Sequence, residues 1–184
     1  MRLQVGMRAP IFDAASWDGT TIRLADFEGR KLWLAFFRYA SCPLCNLRVR
    51  DLIQRYPDLA SRGLAIAAVF QSPAASIAEY VGRQRPPFPL LADPGEGLYR
   101  LYALEASVAA FASPRNYSRA VRATLAGFAP GRMEGTRTRI PGDFLIDEGG
   151  VIRDLFYGEV IADHIPFERV EAFLGSPAQR RGAA

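Results

Sequence analysis

The sequence predicts an α/β fold, a mixed central sheet with helices on both faces. Three observations carry that expectation. Two apolar runs, Lys31 to Phe37 and Leu64 to Phe70, read as strands buried on both faces. Between them lies a segment with apolar residues at helical spacing, a βαβ pattern that calls for parallel pairing. Near the C-terminal end, two more strand-like runs flank Gly149-Gly150, a hairpin signal.

Taken in order, Ile11 to Ala14 and Thr20 to Leu24 flank Asp18-Gly19 and form a hairpin. Lys31 to Phe37 is the central strand. A helix of about 18 residues follows, judged from its periodicity. It turns Cys45, Val49, Leu52, Ile53, Tyr56 and Leu59 inward and Arg48, Arg50, Gln54 and Arg55 outward, with Gly63 at its C-terminal cap. After the strand Leu64 to Phe70, Ser72 and Pro73 make an N-cap and first-turn pair for a helix carrying Ile77, Tyr80 and Val81. Phe88 to Ala92 is a short strand, and Asp93-Pro94-Gly95 turns into a brief helix with Leu98, Leu101 and Tyr102. Gly142 to Asp147 and Val151 to Tyr157 form the final hairpin, and Pro166 opens a last helix with Phe167, Val170 and Phe173 inside. This is the order of the thioredoxin fold with extra N-terminal strands and a helical insertion before the last hairpin. One domain over 1–175 is expected, with the insertion at 105–139 and a flexible tail at 176–184. In the insertion, Tyr117, Val121, Leu125 and Phe128 share one helical face and Arg115, Arg119 and Arg122 another. The ordinary expectation is that the apolar face packs on the domain and the arginines are solvated. A membrane surface or an acidic partner is the alternative for such a basic amphipathic helix.

Composition narrows the function. Hydrophobic residues make up 49% of the chain, enough for a sizeable core, and a net charge of +4 is no nucleic-acid signature. The N-terminus lacks a signal-peptide apolar core, and no run approaches the roughly 18 apolar residues of a membrane span. A cytoplasmic protein is expected. Only two cysteines occur, three positions apart, and a close pair in a cytosolic chain points to redox or metal chemistry.

Cys42-Pro43-Leu44-Cys45 stands where the apolar strand meets the helix, with Pro43 suited to the first helical position. A thiolate at the cap faces unpaired first-turn amides and the positive end of the helix dipole. Arg38 upstream and Arg48 downstream add positive potential. Residues i and i+3 are neighbours on a helix, so the two sulfurs can close a disulfide. A structural zinc site would need about two more ligands, and the chain offers one histidine, His164, and no second CxxC. A buried, inert pair is the other alternative. His164 reads as structural more readily than as a base, and Asp143 and Asp147 fit turn and edge roles as well as a functional pair.

Four segments resemble the AhpC/TSA peroxiredoxin-like branch of the thioredoxin superfamily: Val5 to Phe12, Phe36 to Cys45, Phe88 to Pro94, and Pro141 to Asp147 with Gly150-Val151-Ile152. The resemblance implies a thiol-dependent peroxidase, with a hydroperoxide substrate and thioredoxin, glutathione or another thiol as reductant. It implies no metal, flavin or haem cofactor, and a homodimer of the kind such relatives form. It also puts Pro141 where thioredoxin-like proteins carry a cis-proline facing the cysteines. Peroxiredoxins use Pro-x-x-x-Thr/Ser-x-x-Cys, and here Arg38 holds the proline position and Cys42 the Thr/Ser position. That alignment makes Cys45 peroxidatic and Cys42 resolving. The thioredoxin alignment and the cap argument make Cys42 the attacking thiolate. The arginine that such relatives carry near the last strand coincides here with Pro141, and the resemblance leaves Arg38, Arg137 or Arg139 to supply that charge instead. A protein disulfide reductase, and a non-catalytic redox switch or binding module, are the alternative functions.

Overall fold

A computed structural model describes residues 2–175. The frayed tail expected at 176–184 lies outside the described residues. The element order is β1 (Asp13–Ala15), β2 (Thr21–Arg23), β3 (Lys31–Phe36), α1 (Pro43–Ser61), β4 (Leu64–Phe70), α2 (Ala74–Glu79), β5 (Leu90–Ala92), α3 (Gly97–Leu101), α4 (Val108–Ala112), α5 (Tyr117–Leu125), β6 (Gly142–Ile146), β7 (Ile152–Tyr157) and α6 (Phe167–Leu174). The main sheet runs β5-β4-β3-β6-β7, and β1 and β2 pair separately as the expected hairpin. β3 pairs parallel with β4 and antiparallel with β6, so the apolar run after Arg30 becomes the central strand. This is the mixed sheet of a thioredoxin fold.

Strand alternation on β3 divides the core in two. Trp33, Ala35 and the following Phe37 face one layer with Val49 and Leu52 of α1, Ile77 of α2 and Val170 of α6. Leu32, Leu34 and Phe36 face the other with Leu98 and Tyr99 of α3, Tyr102 and Phe144. Helices therefore cover both faces, and the strand that feeds the cysteine turn is held from both sides. Tyr99 adds a polar pin, its hydroxyl donating to the carbonyls of Phe37 at 2.8 Å and Val69 at 3.0 Å.

Three expectations are corrected. Ser72 does not cap α2; Pro73 stands at that N-cap, and the Ser72 hydroxyl instead accepts the Ala40 N–H at 2.9 Å. Arg48 is not solvated but half-buried, its guanidinium stacked over Phe167 at 4.1 Å and donating to the Ile165 carbonyl at 2.7 Å. The apolar stripe of α5 faces outward: Tyr117 is 74% and Leu125 83% exposed, while Ala123 is buried. Small side chains let the α5 backbone approach α1 closely, which a large apolar stripe would prevent. Phe128 leaves that stripe to lie beneath the Arg50 guanidinium. Arg115 and Arg119 are tied down, to Glu159 and Asp163 and to the Ala162 carbonyl. Among the described residues no helix is long and apolar enough to cross a membrane.

Candidate active site

The chain leaves β3 at Phe36 and crosses to α1 through Phe37 to Cys42. Hydrogen bonds hold that crossing at several points along its length. The Cys42 N–H donates to the Tyr39 carbonyl at 3.0 Å, and the Gln71 N–H donates to the Arg38 carbonyl at 3.0 Å. Pro43 takes the first helical position, as predicted, and Cys42 is the N-cap. Asn46, four residues on, is buried, and its Nδ2 donates back to the carbonyls of Ala40 at 2.7 Å and Cys42 at 3.0 Å. Gln84 holds Asn46 in turn, through Oδ1 at 2.9 Å. Sequence reasoning missed Asn46; the signal was a polar residue on the inward face directly after Cys45.

Cys42, Cys45 and Arg38 come together as predicted. Arg38 is buried, and its Nη1 lies 3.6 Å from the Cys42 sulfur. Its Nη2 donates to the Arg137 carbonyl, and its guanidinium covers the rings of Tyr39 and Phe111. Both cysteines are free thiols, 1% and 2% exposed. A hydrogen bond from Cys45, together with the Arg38 charge and the nearby Cys45 and Leu44 amides, outweighs burial and lowers the Cys42 thiol to about 6. Burial, and the hydrogen bond and negative charge shared with Cys42, push Cys45 well up. A charge pair at about 4 Å in a medium of effective dielectric ~20 is worth ~4 kcal/mol. Desolvating an ion costs several kcal/mol, so Arg38 alone would not hold a buried thiolate and the Cys45 donor is needed. The pair is asymmetric because Arg38 and the helix N-terminus both favour Cys42.

A strap from the 105–139 segment covers this turn. Ser41 Oγ donates to the Arg132 carbonyl at 2.6 Å, and Gln71 Nε2 donates to the carbonyls of Glu134 at 3.0 Å and Thr136 at 2.9 Å. A Cβ on Gly131 would stand 2.7 Å from both Ser41 and Tyr80, so only glycine lets the strap approach this closely. Arg139, a candidate for the missing arginine, is bonded to Glu96 and to the Leu104 carbonyl instead.

Two further site candidates stand elsewhere. Pro141 enters β6 through a trans bond, contrary to the cis expectation. The Ile140 N–H donates to Glu105 and the Pro141 carbonyl accepts the Gly158 N–H, both at 3.0 Å, so pairing on either side draws the chain straight into the strand. It lines a small hollow with Leu104, Tyr157 and Gly158. Arg48 faces Asp143 and Trp33 rather than the sulfurs. Asp143 is fully buried and does not pair with Asp147, which serves the hairpin turn through the N–H groups of Gly149 and Val151. It accepts Trp33 Nε1 at 2.9 Å and the Ile165 N–H at 2.9 Å, with His164 Nδ1 at 3.1 Å.

Burial holds the His164 imidazole below its ordinary 6.5, against the pull of Asp143. Burial opposes ionisation of Asp143, but His164, Arg48 and the Ile165 amide outweigh it and keep the carboxyl below 3.8. Both shifts give the unfolded chain more protons than the folded one as pH falls, so stability drops toward acid. His164 contributes from about pH 6.5 downward and Asp143 only below about pH 4. Thermal melting should therefore fall between pH 7 and pH 5, by about 2–4 °C per kcal/mol lost. His164→Gln, which keeps a donor toward Asp143, should flatten that slope.

Comparison with known proteins bears on the whole frame. The model of the AhpC/TSA family matches residues 5–155. A Mycobacterium tuberculosis protein carrying a peroxiredoxin name is 32% identical over 93 residues, which cover 50% of this chain and 59% of that protein, less than two thirds of its length. A Coxiella burnetii protein with the peroxiredoxin name bcp is 22% identical over 165 residues, covering 90% of this chain and 95% of that protein. Among solved structures, the peroxidoxin BcpB of Mycobacterium tuberculosis superposes with a TM-score of 0.69 at 16% identity, covering 94% of this chain and 97% of that one, a likeness of fold.

Proposed function

Because this chain belongs to the AhpC/TSA family, we propose that it is a thiol-dependent peroxidase that reduces hydroperoxides through a Cys42/Cys45 cycle. The observation that carries this reading is the Cys42 sulfur: an N-cap thiol 3.6 Å from a buried arginine, mostly thiolate at neutral pH. The thiolate attacks the terminal peroxide oxygen, the O–O bond breaks, and Cys42 becomes a sulfenic acid. The departing alkoxide takes the Cys45 proton and leaves as an alcohol. Arg38 steadies the negative charge through this step. Its Nε, buried with no hydrogen-bond partner among the described residues, is a donor left over for the peroxide.

Burial chiefly holds the Cys45 thiol up, and sulfenylation removes the further contribution made by the Cys42 negative charge. Cys45 thiolate then attacks the Cys42 sulfur and displaces hydroxide, which solvent protonates to water, and the disulfide closes. An external thiol, from thioredoxin, glutathione or a like donor, returns two electrons through exchange. A reducing compartment such as the cytosol keeps that donor supplied. The near-complete burial of both sulfurs beneath the 131–137 strap favours a small peroxide over a bulky protein disulfide.

The test is turnover of hydrogen peroxide and of an organic hydroperoxide with dithiothreitol, run beside reduction of insulin disulfides. Peroxide consumption without insulin reduction is expected. Insulin reduction with no peroxide consumption would replace this reading by a thioredoxin-like reductase.

A further inference from the structure

Beside α1, on the side of Arg48, lies a cavity of about 490 Å³, within the roughly 300–1,000 Å³ of small-molecule sites. Four arginines line it (Arg48, Arg55, Arg119 and Arg122) against two carboxylates, Asp51 and Glu168. Among the described residues Arg48, Arg55 and Arg122 make no direct ion pair, although the charges of Asp143 and Asp51 act on Arg48, and Arg119 reaches Asp163 at 3.9 Å. Phe167 fixes the arrangement, with the guanidiniums of Arg48 and Arg55 at 4.1 Å and 4.0 Å from its ring centre. Stacking of this kind settles each plane and leaves its edge free to donate. Arg48 spends one donor on the Ile165 carbonyl, yet its Nε is buried without a partner. Burial pulls the Arg48 guanidinium down to about 10, against the charges of Asp143 and Asp51 and with smaller contributions from Arg119 and Arg55. A preassembled group of cations with unused donors is what bidentate recognition of carboxylate or phosphate requires.

We propose that this cavity is a binding site for a small polyanion, a molecule carrying two or more carboxylate or phosphate groups. Its occupant spans the arginines over Phe167 and supplies the acceptors that Arg48, Arg55 and Arg122 lack. Leu44, between the two cysteines, forms part of the wall, so the occupant rests against the back of the redox turn. The site does not depend on the peroxidase chemistry.

Isothermal titration of the full chain with citrate, and separately with pyrophosphate, at low salt tests this. Saturable binding of at least one probe at a single site is expected. Binding of citrate alone assigns the site to carboxylates, and of pyrophosphate alone to phosphates. The double variant R55Q/R122Q, which alters two exposed side chains, should weaken binding by about tenfold or more, since charged hydrogen bonds are among the strongest contacts. R100Q/R153Q, with the same charge loss outside the cavity, should leave affinity unchanged. Failure of both probes to saturate, or equal weakening by the two double variants, would overturn the proposal.

Discussion

Cys42→Ser should reduce peroxide turnover by at least about 10³, because the attacking group itself is lost. Cys45→Ser should behave differently. Its first oxidation should proceed, since the introduced serine still offers a hydroxyl donor to the Cys42 thiolate and Arg38 is untouched. The cycle should then stop at Cys42 sulfenic acid, which dimedone traps and mass spectrometry locates. Steady-state turnover in Cys45→Ser should fall nearly as far as in Cys42→Ser unless an external thiol resolves the sulfenic acid directly. The single-turnover phase separates them: present in Cys45→Ser and absent in Cys42→Ser. This assignment departs from the peroxiredoxin alignment, which puts the attacking thiol at Cys45. The electrostatics argue against that alignment because Arg38 and the first-turn amides favour charge on Cys42, while Cys45, equally buried, is the donor to it.

Arg38→Gln should lower the rate of the first oxidation by about 10²–10³, the range seen when one preorganised donor to a developing charge is removed. Two losses combine in that variant. The Cys42 thiol rises from about 6, since the Arg38 charge no longer opposes burial, so less thiolate is present at pH 7. The donor left over for the peroxide oxygen also disappears. The pH profile divides them: the rate recovered at alkaline pH reports the thiolate fraction, and the deficit that persists reports lost transition-state stabilisation. Arg38→Lys should recover part of the first and little of the second, because an ammonium cannot contact Cys42, the Arg137 carbonyl and substrate with one planar group.

Much of the frame is legible in the chain. Uninterrupted apolar runs and turn residues locate β3, β4 and the last hairpin, and the alternation of Trp33, Leu34, Ala35, Phe36 and Phe37 foretells a strand buried on both faces. The cysteine turn is legible too, since its N-cap position follows from a strand, a proline and a helical stripe. What escapes the sequence is contact between distant segments. Ser41 meets the Arg132 carbonyl and Arg38 meets Arg137 across about ninety residues or more, with no local pattern to announce either. Arg48 looks solvent-facing by spacing alone, because its platform, Phe167, arrives from the last helix. Periodicity marks two stripes on α5 without saying which is inside, and the small residue Ala123 is the buried one, not Tyr117 and Leu125.

The central claim is that Cys42 carries the thiolate. Titration of the reduced protein by thiolate absorbance at 240 nm, for wild type, Cys42→Ser and Cys45→Ser, tests it most directly. The account predicts a wild-type midpoint at about 6 that persists, shifted modestly, in Cys45→Ser and vanishes in Cys42→Ser. A low midpoint that survives in Cys42→Ser and vanishes in Cys45→Ser would contradict it and return the attacking role to Cys45.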